Sequence, residues 1–558
     1  MLLQQLIELA SRLEQQGNLA PPVHRNKGVR YMLSLDSQGR LRNPHPIDLT
    51  KEDGTLPRWI LPDTVKASGI KPILLADNAE YTLGIGRSES KPERVRKCHA
   101  AYLSLIRDCA DHTQEPAVMA VLQFLENDPL QHLVLPDNFD AGGIIVFEVD
   151  GKLVHEITAV RDFWIEHNMP RGNVMECIAC GERKPVLPRL KGKIKGIPGG
   201  QSSGTSLISA NKTAFESYGL KNSLIAPICF ECSERFTKAL NFLLANDKHH
   251  LVFGQKLVFV FWTRDPVEWN PLSFLQRPDP QDVQNLLDAS QRPSKWNPNL
   301  DTTSFYAASL SASGGRAVIR DWIDTTVGEV KEHLRQWFAA QAMVNAHGDL
   351  SQPLSIYALA GATAMDLGKV TTSTYQTLLR ASLMGSPLPW NLLQQAVRRN
   401  VSERRVTHAR AALIKLVFVT RNLIKEDDMS QLETPPPEFS LAYHCGRLLA
   451  VLENIQYEAL GKTNTTIVDR AYGGASTSPA YVFGRLLTRA QSHLSKLRRQ
   501  KKSAYVFAQN ELSDVLSHIT VFPTTLTMQE QGFFALGYYH QRARKWQRIS
   551  ERSTANEQ

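Results

Sequence analysis

Two cysteine pairs carry the most specific chemistry in this sequence: Cys177-Ile178-Ala179-Cys180 and Cys229-Phe230-Glu231-Cys232. A C-x-x-C turn offers two sulfurs to one metal ion, and two such turns complete a tetrahedron. The repeated spacing favours zinc over four unrelated buried thiols. With every ligand supplied by the chain, the ion is structural and leaves no open position for a catalytic water. The interval between the pairs exceeds the ~15–20 residues of a zinc ribbon, so it reads as an insertion stapled at its base. That insertion contains Lys191-Gly192-Lys193-Ile194-Lys195-Gly196-Ile197-Pro198-Gly199-Gly200-Gln201-Ser202-Ser203-Gly204. Cations alternating with unobstructed backbone amides are groups that hold phosphates. A flexible linker would use the glycines but has no need of the interleaved lysines.

The same loop imitates two catalytic motifs. Residues 199–206 resemble a phosphate-binding P-loop, yet Thr205 stands where the lysine must be. Gly200-Gln201-Ser202-Ser203-Gly204 fits the G-x-S-x-G elbow of a serine hydrolase, with Ser202 as nucleophile. That elbow needs a buried strand before the serine, whereas residues 191–198 are cationic and broken by glycine and proline. A second basic region carries Arg485, Arg489, Lys496, Arg498, Arg499, Lys501 and Lys502. Such a stripe can follow a phosphate backbone without reading sequence, and a solvated helix face is its plain alternative. The neighbouring Tyr481, Phe483, Tyr505 and Phe507 read as core rather than as stacking platforms.

The elements that position these residues divide into two styles. The chain has 558 residues, 42% hydrophobic and 21% charged, with formal charge +9. That is an ordinary globular composition with room for about two to four domains and a moderate lean toward a polyanionic partner. Cys98, Cys109 and Cys445 are solitary, so the seven cysteines are no secreted disulfide framework and point to a reducing cytoplasm. Residues 1–16 place Leu3, Leu6, Ile7, Ala10 and Leu13 on one helical face, with Glu8, Arg12 and Glu14 excluding a signal peptide or membrane span. Strand signals occur at 31–35, at 71–78 beside Pro72, at 142–149 and along the apolar run 251–262. Phe305 to Trp322 reads as a hairpin about Gly314-Gly315. Helices are expected at 94–109 and 117–127, and nearly everywhere after Val327.

Glu426-Asp427-Asp428 and Thr434-Pro435-Pro436-Pro437 mark a linker. Beyond it, 439–460, 480–499, 504–518 and 527–545 are amphipathic helices of a separate bundle. The fold class is an α+β N-terminal region with an inserted zinc-stapled loop, followed by an all-α C-terminal helical bundle. The segments are 1–165 (mixed α/β), 166–275 (zinc-stapled DNA recognition), 276–425 (mixed, passing into helices) and 430–558 (the bundle).

A family resemblance runs through the whole chain. Ser68-Gly69-Ile70-Lys71-Pro72, Asp77-Asn78 and Tyr81-Thr82-Leu83-Gly84 resemble the N-terminal signature of the large subunit of the type I-C CRISPR surveillance complex, Cascade. Lys195-Gly196, Gly200 to Gly204, Ser209-Ala210-Asn211, Ala214-Phe215-Glu216-Ser217-Tyr218-Gly219, Ala239-Leu240-Asn241-Phe242-Leu243-Leu244 and Phe261-Trp262 follow in order. Gly446 to Glu453, Ala475-Ser476-Thr477-Ser478-Pro479 and Phe534 to Arg542 complete it. The chain departs from the family pattern at Ile73, where Asn is favoured, and at Ala210, where Phe is. Many members lack one or more of the four cysteines, so zinc rests on this sequence alone.

The resemblance implies a non-catalytic, cytoplasmic subunit acting in antiviral defence. It would read the protospacer-adjacent motif (PAM) on duplex DNA, promote strand opening and stabilise the R-loop, while guide RNA reads the target by base pairing. Its implied partners are the guide RNA complex, double-stranded target and displaced single strand, the backbone, guide-processing and small subunits, and a recruited helicase–nuclease. Lys71 and Asn78 would join the loop at the PAM. Lys191, Lys193 and Lys195 would supply phosphate contacts, Gly199, Gly200 and Ser202 close approach, and Gln201 or Asn211 base-edge hydrogen bonds. The basic helices would hold single strand, and Met429 is the candidate internal start for a small-subunit product. Two other classes stay open: a general zinc-containing RNA-binding protein and a serine hydrolase using Ser202.

Overall fold

The computed structural model describes residues 2–64, 69–169, 172–190, 192–210, 212–267, 269–289, 301–345 and 349–557. Contacts divide the chain into two units, 1–194 with 206–242, and 195–205 with 243–558. These are not the four segments expected from the sequence.

In the first unit, α1 (Leu2–Gln15) buries Leu6, Leu9, Ala10 and Leu13. A two-stranded sheet pairs β1 (His24–Gly28) with β4 (Arg58–Pro62). A second sheet runs β3 (Ile47–Asp48), β2 (Tyr31–Leu35), β6 (Ile144–Val149), β5 (Ala76–Asn78), with β7 (Lys152–Leu153) also on β6. Strands β2 and β6 are parallel, Tyr31 facing Ile145. A parallel pair requires a crossover, which here carries α2 (Pro92–Thr113) and α3 (Pro116–Glu126), each opening on a proline whose missing N–H costs nothing at that position. Val95, Cys98, Tyr102, Leu105, Ile106 and Cys109 recur at helical spacing and pack with Tyr31, Leu33, Leu35 and Phe147. The solitary Cys98 and Cys109 are therefore core residues. Later in this unit come the hairpin β8 (Val174–Glu176) and β9 (Arg183–Pro185), then α4 (Phe230–Ala245).

The second unit contains a four-stranded antiparallel sheet, β10 (His250–Phe253), β11 (Leu257–Thr263), β12 (Ser304–Ser313) and β13 (Arg316–Thr326), in that order. The apolar run 251–262 is thus two strands rather than one. Gly254 and Gln255 both have φ +55° and turn the chain, while Lys256 N–H donates to Phe253 O at 3.0 Å. The β12–β13 hairpin matches its expectation. Thr326 and Glu329 cap one another to open α5 (Val327–Gln341).

Helices follow: α6 (Thr372–Met384), α7 (Trp390–Glu403), α8 (His408–Thr420), α9 (Ser440–Leu460), α10 (Ile467–Thr477), α11 (Pro479–Gln500), α12 (Lys502–Ser517) and α13 (Met528–Glu557). The sequence pattern missed α10, a short helix carrying Gly473-Gly474. Residues 430–558 are not a separate bundle. Phe533 of α13 stacks on Phe418 of α8 at 4.5 Å and on Phe439 at 4.3 Å, so one core crosses the expected boundary. The linker is pinned into that core: Met429 is buried, Lys415 Nζ donates to Ser430 Oγ at 2.7 Å, and Val344 N–H donates to Ser430 O at 2.9 Å. Among the described residues, no helix is long and apolar enough to cross a membrane.

Candidate metal centre and nucleic-acid surfaces

The four cysteines converge. Their Sγ atoms all lie within 4.8 Å of one another, with Cys177, Cys229 and Cys232 buried and Cys180 exposed. A tetrahedral ion at ~2.3 Å from each sulfur would set the sulfurs about 3.8 Å apart, so the cluster needs only a small contraction to hold one. Local backbone explains the convergence. Gly181 N–H donates to Cys177 O at 2.8 Å and Gly181 sits at φ +75°, folding the first pair into a tight turn off β8. The second pair straddles the start of α4, and Val186 bridges to Cys229, tying β9 to that start. Cys229 N–H donates to Cys177 Sγ at 3.4 Å. The Cys232 thiol donates to Cys229, pulling the Cys229 thiol well below its ordinary range and raising Cys232. The cluster can hold a metal ion.

Helix α4 carries the cluster's position to the base of the lysine loop. Lys238 Nζ donates to the carbonyls of Ala20, Pro21 and His24 at 3.2, 2.6 and 3.1 Å, and Arg235 Nε lies 3.3 Å from Glu14. One turn on, Asn241 Nδ2 donates to Lys193 O at 2.9 Å. Gly192 lies so close to α4 that a Cβ there would sit 2.6 Å from Thr237 Oγ1. Lys193 is exposed, its Nζ donating to Ser206 Oγ at 2.7 Å.

Past Ile194 the loop belongs to the second unit. Ile197 and Thr205 are buried there, whereas Lys195, Gly199, Gln201, Ser202 and Ser203 are exposed. Two tight turns, Gly200 N–H to Ile197 O at 3.0 Å and Gly204 N–H to Gln201 O at 2.8 Å, fix this pattern. Gln201 lies against the β12–β13 turn, 3.3 Å from where a Gly315 Cβ would be. No strand precedes Ser202 and no helix follows it, so the strand–turn–helix geometry of a nucleophile elbow is not built here. Lys191 and Asn211 lie outside the described residues, as does Ser68 of the N-terminal signature.

Lys71 is exposed at the start of its segment. Asp77, buried in β5, accepts from Ile73 N–H at 2.8 Å and Asn78 N–H at 2.9 Å, shaping the segment as a turn into a short strand rather than one extended stretch. Ile73 is core, and the Asn78 amide oxygen is buried without a partner among the described residues.

On α11, Arg485, Arg489, Arg498 and Arg499 are exposed and Lys496 half-buried. At 3.6 residues per turn, Arg485, Arg489, Lys496 and Arg499 share one face, opposite the buried Phe483, Leu486, Ala490, Leu494 and Leu497. Arg498 leaves that face, Lys501 Nζ donates to Glu458 O at 3.0 Å, and exposed Lys502 begins α12. Phe483 is core as expected, but Tyr481 is 69% exposed and heads the basic face. Its i, i+4 spacing to Arg485 was the legible signal. Two rings between the cysteine pairs in sequence, which the family resemblance quotes without a role, are exposed: Phe215, and Tyr218 at 98% and φ +53° in the turn closed by Ser217 and Leu220.

The sequence model of one family, CRISPR-associated protein (Cas_Csd1), matches residues 6–546. The chain belongs to that family. No curated protein sequence matches it.

Proposed function

We propose that this Cas_Csd1 family member is the large subunit of a type I-C Cascade, a non-catalytic protein that recognises the PAM on duplex DNA and helps open it. The observation that carries this reading is the loop: Lys195, Gln201 and Ser202 are exposed while Ile197 and Thr205 anchor it in the core. Lysines would take phosphates, the amide of Gly199 would approach the backbone unhindered, and Gln201 would address a base edge. Lys71 and, on the helical face, Arg485, Arg489, Lys496 and Arg499 would extend the electrostatic surface, the latter toward displaced single strand. The exposed ring of Tyr218 would suit contact with unstacked bases.

Zinc is the ion that suits four thiolates from one chain, and its role would be to hold β8, β9 and the start of α4 together. Guide RNA, the other Cascade subunits and a helicase–nuclease would be its partners, in the cytoplasm. A product started at Met429 would retain α9–α13 and expose the Phe533 face that Phe418 covers here.

The test uses the assembled complex and PAM-bearing or PAM-less duplexes. Gln201→Ala should cost ~1–3 kcal/mol of base discrimination, whereas Lys193→Ala and Lys195→Ala should weaken every sequence alike. Target binding indifferent to all three changes would overturn the loop assignment. Tighter binding of RNA alone than of target duplex would favour a general zinc-containing RNA-binding protein.

A further inference from the structure

The outer side of α10 and α11 holds a groove of about 720 Å³. Its cations are Arg470 from α10 and Arg485 and Arg489 from α11, and no carboxylate lines it among the described residues. The nearest acid in sequence, Asp469, lies outside the lining: it accepts from Thr466 N–H at 2.8 Å and Thr466 Oγ1 at 3.0 Å in the α10 cap, and its carboxylate also feels the charge of Arg470. The three arginines enter no ion pair among the described residues, and Arg485 and Arg489 stand in solvent. A solvated face of an ordinary helix intersperses both signs of charge. This groove instead concentrates one sign in a concavity, which focuses the field on an anion.

Its floor is not simply charged. Ile467, Val482 and Leu486 supply apolar surface, and Tyr481, 69% exposed, forms one wall. A large ring left in water beside unpaired guanidinium groups suits a ligand that is flat, apolar on its faces and anionic along its edge. A nucleotide is such a ligand, and only an unpaired one has a free face to offer. Duplex phosphates could meet the arginines, but duplex bases could not reach Tyr481.

We propose that the α10–α11 groove binds unpaired nucleotides of a single strand, with a base stacked on Tyr481 and phosphates held by Arg470, Arg485 and Arg489. This rests on the nucleic-acid reading of the chain and deepens it, turning a diffuse basic face into a subsite with a stacking platform at one end. From that end, Arg485, Arg489, Lys496 and Arg499 continue along the same helix face, so the strand would run along α11.

The test is fluorescence anisotropy on the full-length protein with labelled oligothymidine, oligouridine, an abasic oligomer of equal length and a PAM-bearing duplex. Tyr481→Ala should weaken oligothymidine binding roughly 5- to 100-fold and leave abasic binding unchanged, while Tyr481→Phe keeps wild-type affinity. Arg485→Ala with Arg489→Ala should weaken oligothymidine and abasic oligomer together. A Tyr481→Ala effect on oligouridine of the same size assigns the subsite to single strands of either sugar; an effect on oligothymidine alone assigns it to DNA. Tyr481→Ala binding oligothymidine like wild type, or losing the abasic oligomer equally, overturns the proposal. If that occurs while Gln201→Ala still impairs PAM discrimination, the subsite alone falls. Indifference of both variants removes the functional reading as well.

Discussion

Residues 172–229 and residues 440–544 are ordered by different means. The first stretch holds two strands of three residues, short turns and three of four convergent thiols, the fourth being Cys232 in the first turn of α4, with a thin set of buried apolar side chains such as Val186, Leu187 and Leu190. The second holds five helices whose core is continuous with α7 and α8. Where α9 crosses α13 the backbones touch: a Cβ on Gly446 would lie 1.9 Å from Phe534 O, and one on Gly537 2.0 Å from Tyr443 O. A small core can be replaced by a metal ion, but a helix crossing that close depends on packing alone. The base of the lysine loop, up to Ile194, grows from the first kind of structure and the basic helix from the second. That base should therefore depend on an ion, and the helix face should not.

Metal removal is the largest way to break that contrast. Structural zinc contributes an apparent ~10–16 kcal/mol in isolated zinc-finger peptides. Purified protein should contain about one zinc per chain. Stripping it, or Cys229→Ser, should strongly accelerate hydrogen exchange of amides in 174–194 and 229–241 while those in 440–457 keep their protection. A metal-free preparation with all four thiols reactive and unchanged exchange would show that the core, not the ion, orders this region.

Gly537→Ala is the mirror experiment. A methyl driven against a backbone carbonyl has no flexible partner to yield, so the cost should be at least ~3 kcal/mol. Exchange should rise in α9 and α13 and stay unchanged around the thiols. Loosening of both regions together would make the two stretches one cooperative structure.

The same contrast decides what the sequence could reveal. The thiol pairs are legible because ligand spacing is a local code, and they do converge. Yet the code says nothing about α4 as the brace, because Lys238 acts on carbonyls at 20–24 that no spacing rule connects to it. Helices α9, α11, α12 and α13 are legible from their apolar period. Their union with α8 is not, since Phe533 looks the same in sequence whether it faces its own bundle or Phe418. The run 251–262 hides its turn because β11 is buried on both faces and β10 is apolar on both, so only the short Gly254-Gln255-Lys256 break separates two stretches of the same character. Tyr481 and Phe483 read alike as core aromatics in the sequence, yet two residues along a helix point 200° apart, and only Phe483 is buried.

A Gln201→Ala change should leave stability near wild type, since the side chain is exposed, and remove ~1–3 kcal/mol of PAM discrimination. Replacing Arg499 by alanine should leave PAM discrimination intact and weaken R-loop retention. If Gln201→Ala instead lowers retention on every sequence equally, the loop positions DNA and does not read it.

The smallest effect expected is also the sharpest discriminator between the two surfaces. Each phosphate contact on duplex DNA contributes about 0.9 to the slope of log affinity against log salt, and each on a single strand about 0.7. Lys193, at the loop base, should meet duplex; Lys496, on the α11 face, should meet single strand. Lys193→Ala should therefore reduce the slope for PAM duplex by about 0.9 and leave that for oligothymidine alone, while Lys496→Ala should reduce the oligothymidine slope by about 0.7 and leave the duplex slope alone. Lys193 already donates to Ser206, a neutral partner that does not cancel its charge, so the bond itself does not remove it from the count. A crossed pattern, with each variant moving the other ligand's slope, would exchange the two assignments. Equal shifts for both ligands in both variants would mean that loop and helix present one undivided electrostatic surface, and that the difference in how they are held has no counterpart in what they hold.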